Sequence, residues 1–168
     1  LIESFADELA RLLRTISHAS AAVAVFGYRR AQIQHPLDAF GFVVPLAERR
    51  EILSASFSSV KFAGRAPDDS VLIRVFMGGA CQPELLERSD QQLVAIATRE
   101  LSEVLRISGP PQLSRLLRWH DTMPQYHVGH LDLVHEIEQL VAQMPAFALA
   151  GNAYRGVGIP FCIRSGEA

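Results

Sequence analysis

Residues 147–166, FALAGNAYRGVGIPFCIRSG, concentrate the residue types that can hold a ligand through the backbone alone. Gly151, Gly156 and Gly158 permit positive φ and leave amide groups uncovered. Pro160 suits the first turn of a helix, where its missing N–H is not needed. The apolar run ahead of Gly151 reads as a buried strand. Strand, glycine turn and helix together can cradle a phosphate, or the polar edge of a planar cofactor, on open amides and the positive end of the helix dipole. The same arrangement also serves as a plain connection that binds nothing.

Other reactive side chains are present without the spacing that chemistry needs. His127, His130 and His135 could ligate a metal only by converging in space. H-E-x-x-H and C-x-x-C are absent, and the step from His130 to His135 does not align on one helix face, so they read as structural or surface histidines. Cys162 stands near a helix start, which favours a thiolate, but has no histidine or second cysteine nearby in sequence and reads as a small packed residue. Asp68 and Asp69 fall in a Pro- and Gly-containing loop and read as solvated, as do Arg11, Arg14, Arg115 and Arg118. Neither G-x-S-x-G nor G-K-S/T occurs. A chain without nucleophile or metal motif borrows its reactivity from a cofactor or is no enzyme.

The 168 residues are 49% hydrophobic, enough for one substantial core or two small ones. Sixteen basic against eighteen acidic residues give a formal charge of −2, which argues against nucleic acid as a partner. Two cysteines, Cys81 and Cys162, make no disulfide scaffold and point to a reducing, cytoplasmic setting. No apolar run reaches the length of a membrane span. Residues 1–17 carry Glu3, Asp7, Glu8, Arg11 and Arg14 where a signal peptide needs an apolar core. A start at Leu1 inside a helical pattern, and an end soon after Pro160, predict a piece of a longer protein.

The elements that must position the glycine turn follow from periodicity. Ser4 is placed to cap a helix carrying Phe5, Leu9, Leu12, Leu13 and Ile16. Strands are expected over 19–28, 40–44, 52–57 and 71–77, joined mostly by loops too short for crossover helices, which predicts a mixed, largely antiparallel sheet. A soft boundary is expected near residues 78–83. Ser89 and Gln92 form a capping box for a helix with Leu93, Val94, Ala97, Leu101, Val104 and Leu105 on one stripe, ended by Gly109 and Pro110-Pro111. A strand over 113–119 leads into an aromatic, histidine-rich loop. A further helix carries Leu133, Val134, Ile137, Leu140, Val141 and Met144 before Pro145. The fold class is α+β.

At this point several motifs, in order, resemble one family. GNAYRGVGIPFCIRSG resembles the C-terminal flavin-binding signature of protoporphyrinogen and coproporphyrinogen oxidases, within the wider flavin-dependent amine oxidase group. WHDTMPQYHVGH resembles that family's segment in which tryptophan is followed by proline, an aromatic and Gly-His, and FGFVVP and FAGRAPDDSVLIRVFMGGA fall in its order. The resemblance spans essentially the whole chain.

It implies an FAD-dependent oxidase of heme biosynthesis that takes protoporphyrinogen IX or coproporphyrinogen III to the porphyrin with oxygen as acceptor. The G-x-G-x-x-G unit that begins such enzymes is absent, so the chain corresponds to roughly the last third of one. Residues 1–120 would be substrate-domain sheet and residues 121–168 the return to the FAD domain through a terminal strand-turn-helix. The resemblance puts Gly151, Asn152, Gly156, Val157, Gly158 and Ile159 against the flavin, and Phe40, Gly41, Val43 and Met77 on the porphyrinogen pocket wall. It implies no protein base here, little FAD affinity or activity without the missing N-terminal portion, self-association through uncovered apolar surface, and a parent that is cytoplasmic or peripherally membrane-associated. Two other readings stand beside it: a flavin amine oxidase for polyamine or carotenoid-like substrates, and a non-catalytic α+β interaction module.

Overall fold

A computed structural model describes residues 6–167. The elements are α1 (Asp7–Thr15), β1 (His18–Arg29), β2 (Gly41–Val43), β3 (Ser54–Phe57), α2 (Ser58–Lys61), β4 (Ser70–Gly78), α3 (Asp90–Leu105), β5 (Leu113–Pro124), α4 (His130–Val141) and α5 (Ile159–Glu167). Two compact units result. One holds residues 20–122; the other joins the described parts of Leu1–Ala19 and Met123–Ala168. The first helix thus groups with the C-terminal segment, and the change of composition near residues 78–83 marks no boundary.

In the larger unit the described strands form one sheet of order β2-β3-β4-β1-β5. Pairing is antiparallel between β1 and β4, β2 and β3, and β3 and β4, as the short connections require. Alternation sorts each strand into two faces. Ala22, Ala24, Phe26 and Tyr28 of β1 and Val71, Ile73, Val75 and Met77 of β4 are buried in one cluster with Leu93, Ala97, Leu101 and Leu105 of α3. Small alanines on β1 let the helix approach closely. The Ser89–Gln92 capping box forms in both directions, fixing the start of α3.

Arg118, expected in solvent, is half-buried. It donates to the Asp90 carboxylate at 2.8 Å, to Leu86 O at 2.7 Å and to Arg88 O, pinning the chain that enters α3. Arg50 bridges Glu100 and Glu103 of α3 at 2.8 and 3.0 Å, tying the loop before β3 to the same helix. Those two carboxylates hold the Arg50 guanidinium above its ordinary pKa.

The smaller unit is built on α1 and α4. Leu9, Leu12 and Ile16 bury against Ile137, with Leu133, Leu140, Val141, Met144, Phe147 and Leu149 around them. Ser4 lies outside the described residues; α1 begins at Asp7, with Asp7 and Glu8 in its first turn.

Candidate functional site

The glycine turn hangs between α4 and α5 on fixed points. Ahead of it, residues 147–150 are not the strand their apolarity suggests: no ladder forms there, although Phe147 and Leu149 turn inward onto the α1–α4 cluster. A strand needs a hydrogen-bonding neighbour, and none runs beside this segment among the described residues. Behind the turn, α5 starts at Ile159 with Pro160 in its first turn, and Phe161 and Cys162 donate their amides to Gly158 O.

Between these ends, Tyr126 is the central fastening. Its hydroxyl accepts the Gly156 N–H at 3.0 Å and donates to Asn152 O at 2.6 Å. Its ring stacks on buried His130 with centroids 3.9 Å apart, and His130 Nε2 bonds Tyr154 O at 2.7 Å. Arg155 grips Glu138 of α4 with two bonds of 2.8 and 2.6 Å. Bonding to the guanidinium lowers the Glu138 pKa and raises that of Arg155. Gly151 N–H donates to Ser165 Oγ at 2.9 Å, closing the turn onto α5.

Gly151 and Gly156 adopt φ of +138° and +152°, where only glycine is at ease, whereas Gly158 has no positive φ. A side chain at Gly151 would meet open space. The amides of Val157, Gly158 and Ile159 have no acceptor among the described residues, and the side chains of Val157 and Ile159 are exposed. The turn therefore presents a row of uncommitted N–H groups at the start of α5, whereas open Gly151 is held by Ser165 near the other end of that helix. Asn152 is half-buried, and its carbonyl is committed to Tyr126.

Cys162 packs beneath this turn, its Sγ 4.0 Å from Gly156 O. The three histidines have separate tasks: His127 bonds Ser17 Oγ at 2.8 Å, His130 bonds Tyr154 O, and His135 bonds Gln139 at 2.9 Å. No metal-holding group of His, Cys, Asp or Glu occurs among the described residues.

The sheet carries the second set of candidate residues on the face turned away from α3. Register aligns Gly41, Ser56, Arg74 and Val25 in one row across β2, β3, β4 and β1, and Val43, Ser54, Phe76 and Val23 in the next. Gly41 and Val43 share this open face, and Phe40, 65% exposed, stands at its edge. Met77 does not join them: it is fully buried beneath the sheet, and its neighbour Phe76 holds the corresponding open position. The one-residue offset reverses the face because the strand period is two. Phe42 points inward and meets Phe57 edge-on at 6.2 Å. Gly41 is obligatory at φ +148°, since a Cβ there would lie 2.1 Å from Ala55 O.

Residues 2–168 match the model of the flavin-containing amine oxidoreductases. The chain belongs to that family. It is 36% identical to the coproporphyrinogen III oxidase of Propionibacterium freudenreichii over 92% of its own length and 29% of that protein's. Against the coproporphyrinogen III oxidase of Bacillus subtilis the figures are 31%, 93% and 33%. A crystal structure ascribed to a protoporphyrinogen oxidase of Exiguobacterium sp. 255-15 superposes with a TM-score of 0.80 at 26% identity, covering 99% of this chain and 37% of the other. The chain thus spans about a third of the curated relatives it matches.

These matches establish the family that the motifs suggested and an oxidoreductase role at the family level. Open amides at a helix start are groups that a planar ring with carbonyl acceptors requires along one edge. Tyr126 and Phe76 were missed as candidates. The frame from Pro124 to Gly129-His130 around Tyr126 and the alternation of β4 were the signals that could have found them.

Proposed function

We propose that the parent protein is an FAD-dependent oxidase that converts coproporphyrinogen III or protoporphyrinogen IX to the porphyrin, in the cytoplasm and with oxygen as acceptor, as a step of heme formation. In this reading residues 151–159 hold an edge of the flavin, and the open sheet face bears the macrocycle. The observation that carries it is the amide row of Val157, Gly158 and Ile159 at the start of α5, in a chain whose relatives are named for oxidising porphyrinogens.

Bound FAD would supply the oxidising chemistry, accepting hydride from the substrate and passing electrons to oxygen. The chain's own residues position and insulate. Val157 and Gly158 would hold an edge of that group through their N–H groups and so favour negative charge there. Tyr126, His130 and the Arg155–Glu138 pair hold the turn in place, so those N–H groups would stay aimed at the bound group. Val23, Val25, Val43 and Phe76 exclude water from one side of a flat apolar substrate.

The parent enzyme, purified with its flavin, should generate porphyrin fluorescence and hydrogen peroxide together from one or both porphyrinogens and little peroxide from spermine. Peroxide from amines alone would overturn the assignment in favour of an amine substrate.

A further inference from the structure

We infer that Arg74 is a carboxylate anchor on the open sheet face, placed to take an acidic side group of a flat substrate and to favour a porphyrinogen carrying carboxylates on all four pyrroles. The inference rests on the functional reading above and deepens it.

Arg74 sits in the middle of the face, in the row Gly41–Ser56–Arg74–Val25. Its Nε donates to the Oγ of buried Ser58 at 3.1 Å, and its guanidinium lies over the Phe76 ring at 5.7 Å from the centroid. Those contacts hold the stem and one side of the group. The Nη atoms are left without a hydrogen-bond or ion-pair partner among the described residues. Other arginines of this unit are spent otherwise: Arg29 on Asp69, Arg50 on Glu100 and Glu103, Arg99 on Glu51, Arg118 on Asp90. Arg74 alone among these is oriented in advance and uncommitted.

Its surroundings match a flat acid. The two rows contain no acidic residue, and Gly41, Ser54 and Ser56 leave a low floor beside the taller Val43 and Phe76. On β5, Leu113 lies against Gly27 on this same side, and alternation carries Arg115 to it as well. Arg115 is exposed and makes a 3.0 Å bond to Ser114 O without a carboxylate partner. Uncompensated positive charge on an apolar surface selects an anion with an apolar body, and a guanidinium fork selects carboxylate geometry. A macrocycle with a carboxylate on every pyrrole presents one to Arg74 in any in-plane orientation. One with carboxylates on a single side does so in few.

The test uses the full-length flavin-loaded parent and air-stable porphyrins: coproporphyrin III, its tetramethyl ester and protoporphyrin IX, with dissociation constants read from porphyrin fluorescence. Wild type should bind the four-carboxylate porphyrin more tightly than its ester, and more weakly as salt rises. Arg74→Met should weaken coproporphyrin III by about 10- to 100-fold, leave the ester unchanged and narrow the preference over protoporphyrin IX. Arg74→Lys should fall between, keeping charge but losing the fork. Equal losses for acid and ester, or no loss, would overturn the anchor while leaving the functional reading intact. A wild type that binds acid and ester alike would overturn the anchor even if the variants misfold. A wild type that binds no porphyrin would remove the functional reading and the anchor together.

Discussion

At the scale of single residues, the turn's sensitivity belongs to Gly156 more than to Gly158. A Cβ at Gly156 would meet Phe161 Cγ at 2.6 Å from a backbone already at φ +152°, whereas at Gly158 the nearest atom is Phe161 Cδ2 at 3.3 Å and φ is not positive. Gly156→Ala should therefore cost about 1–3 kcal/mol locally and release flavin from the parent, while Gly158→Ala is accommodated by a small ring movement. Flavin occupancy of the two purified variants checks this, and equal retention would refute it. Tyr28 makes a second residue-scale case. Its hydroxyl is buried without a partner in bonding range, and burial pushes its pKa from 10.0 up to about 12. The Thr98 hydroxyl gives the phenol no donor, because its proton is spent on Val94 O at 2.8 Å. The folded state keeps this phenol protonated between those values while the unfolded state ionises, so stability is present below pH 10 and is lost as pH rises toward about 12. Tyr28→Phe should change stability by no more than about 1 kcal/mol at neutral pH and lose less in alkali, as thermal midpoints across that window would show.

At the scale of elements, periodicity carried most of the fold. α3 was legible because one apolar stripe, a capping box and a glycine–proline stop agree, and β1 and β4 because their small and branched residues alternate. Residues 147–150 misled because apolarity reports burial, whereas a strand also needs a neighbour, which a local pattern cannot reveal. Met77 misled for a related reason. Placing a residue on a face requires register to one residue, and register was fixed only by pairing with β1 and β3. The tethers of Tyr126 and Arg155 join positions 30 and 17 residues apart, beyond any spacing rule. Gly41 tests the element scale directly. Gly41→Ala would drive a Cβ into Ala55 O and should detach β2 from β3 at a cost of at least about 1–3 kcal/mol. Hydrogen exchange should show protection lost at Val44 N–H, now bonded to Leu53 O, ahead of any loss in α3. Unchanged exchange there would mean the edge strand tolerates the side chain.

At the scale of the whole molecule, α5 shows what the described residues do not cover. None of its residues is buried, and Ile159, Phe161 and Ile163 are 76%, 49% and 58% exposed, with Val157 before them at 62%. An apolar helix in water is held by packing far more than by propensity, so we expect this one to be covered by a partner or by a second copy. The chain expressed alone should accordingly take up little added FAD, since the turn offers one edge of a site, and should sediment as a concentration-dependent oligomer. In the parent the same helix should be covered. Amide exchange in 159–167 should be fast in the isolated chain at high dilution and slow in the flavin-loaded parent, while exchange in α3 stays slow in both, because its partner is the sheet in either case. Slow exchange of α5 in a dilute monomer would show that the helix needs no cover, and would remove the reason for expecting either self-association or a missing domain against that face.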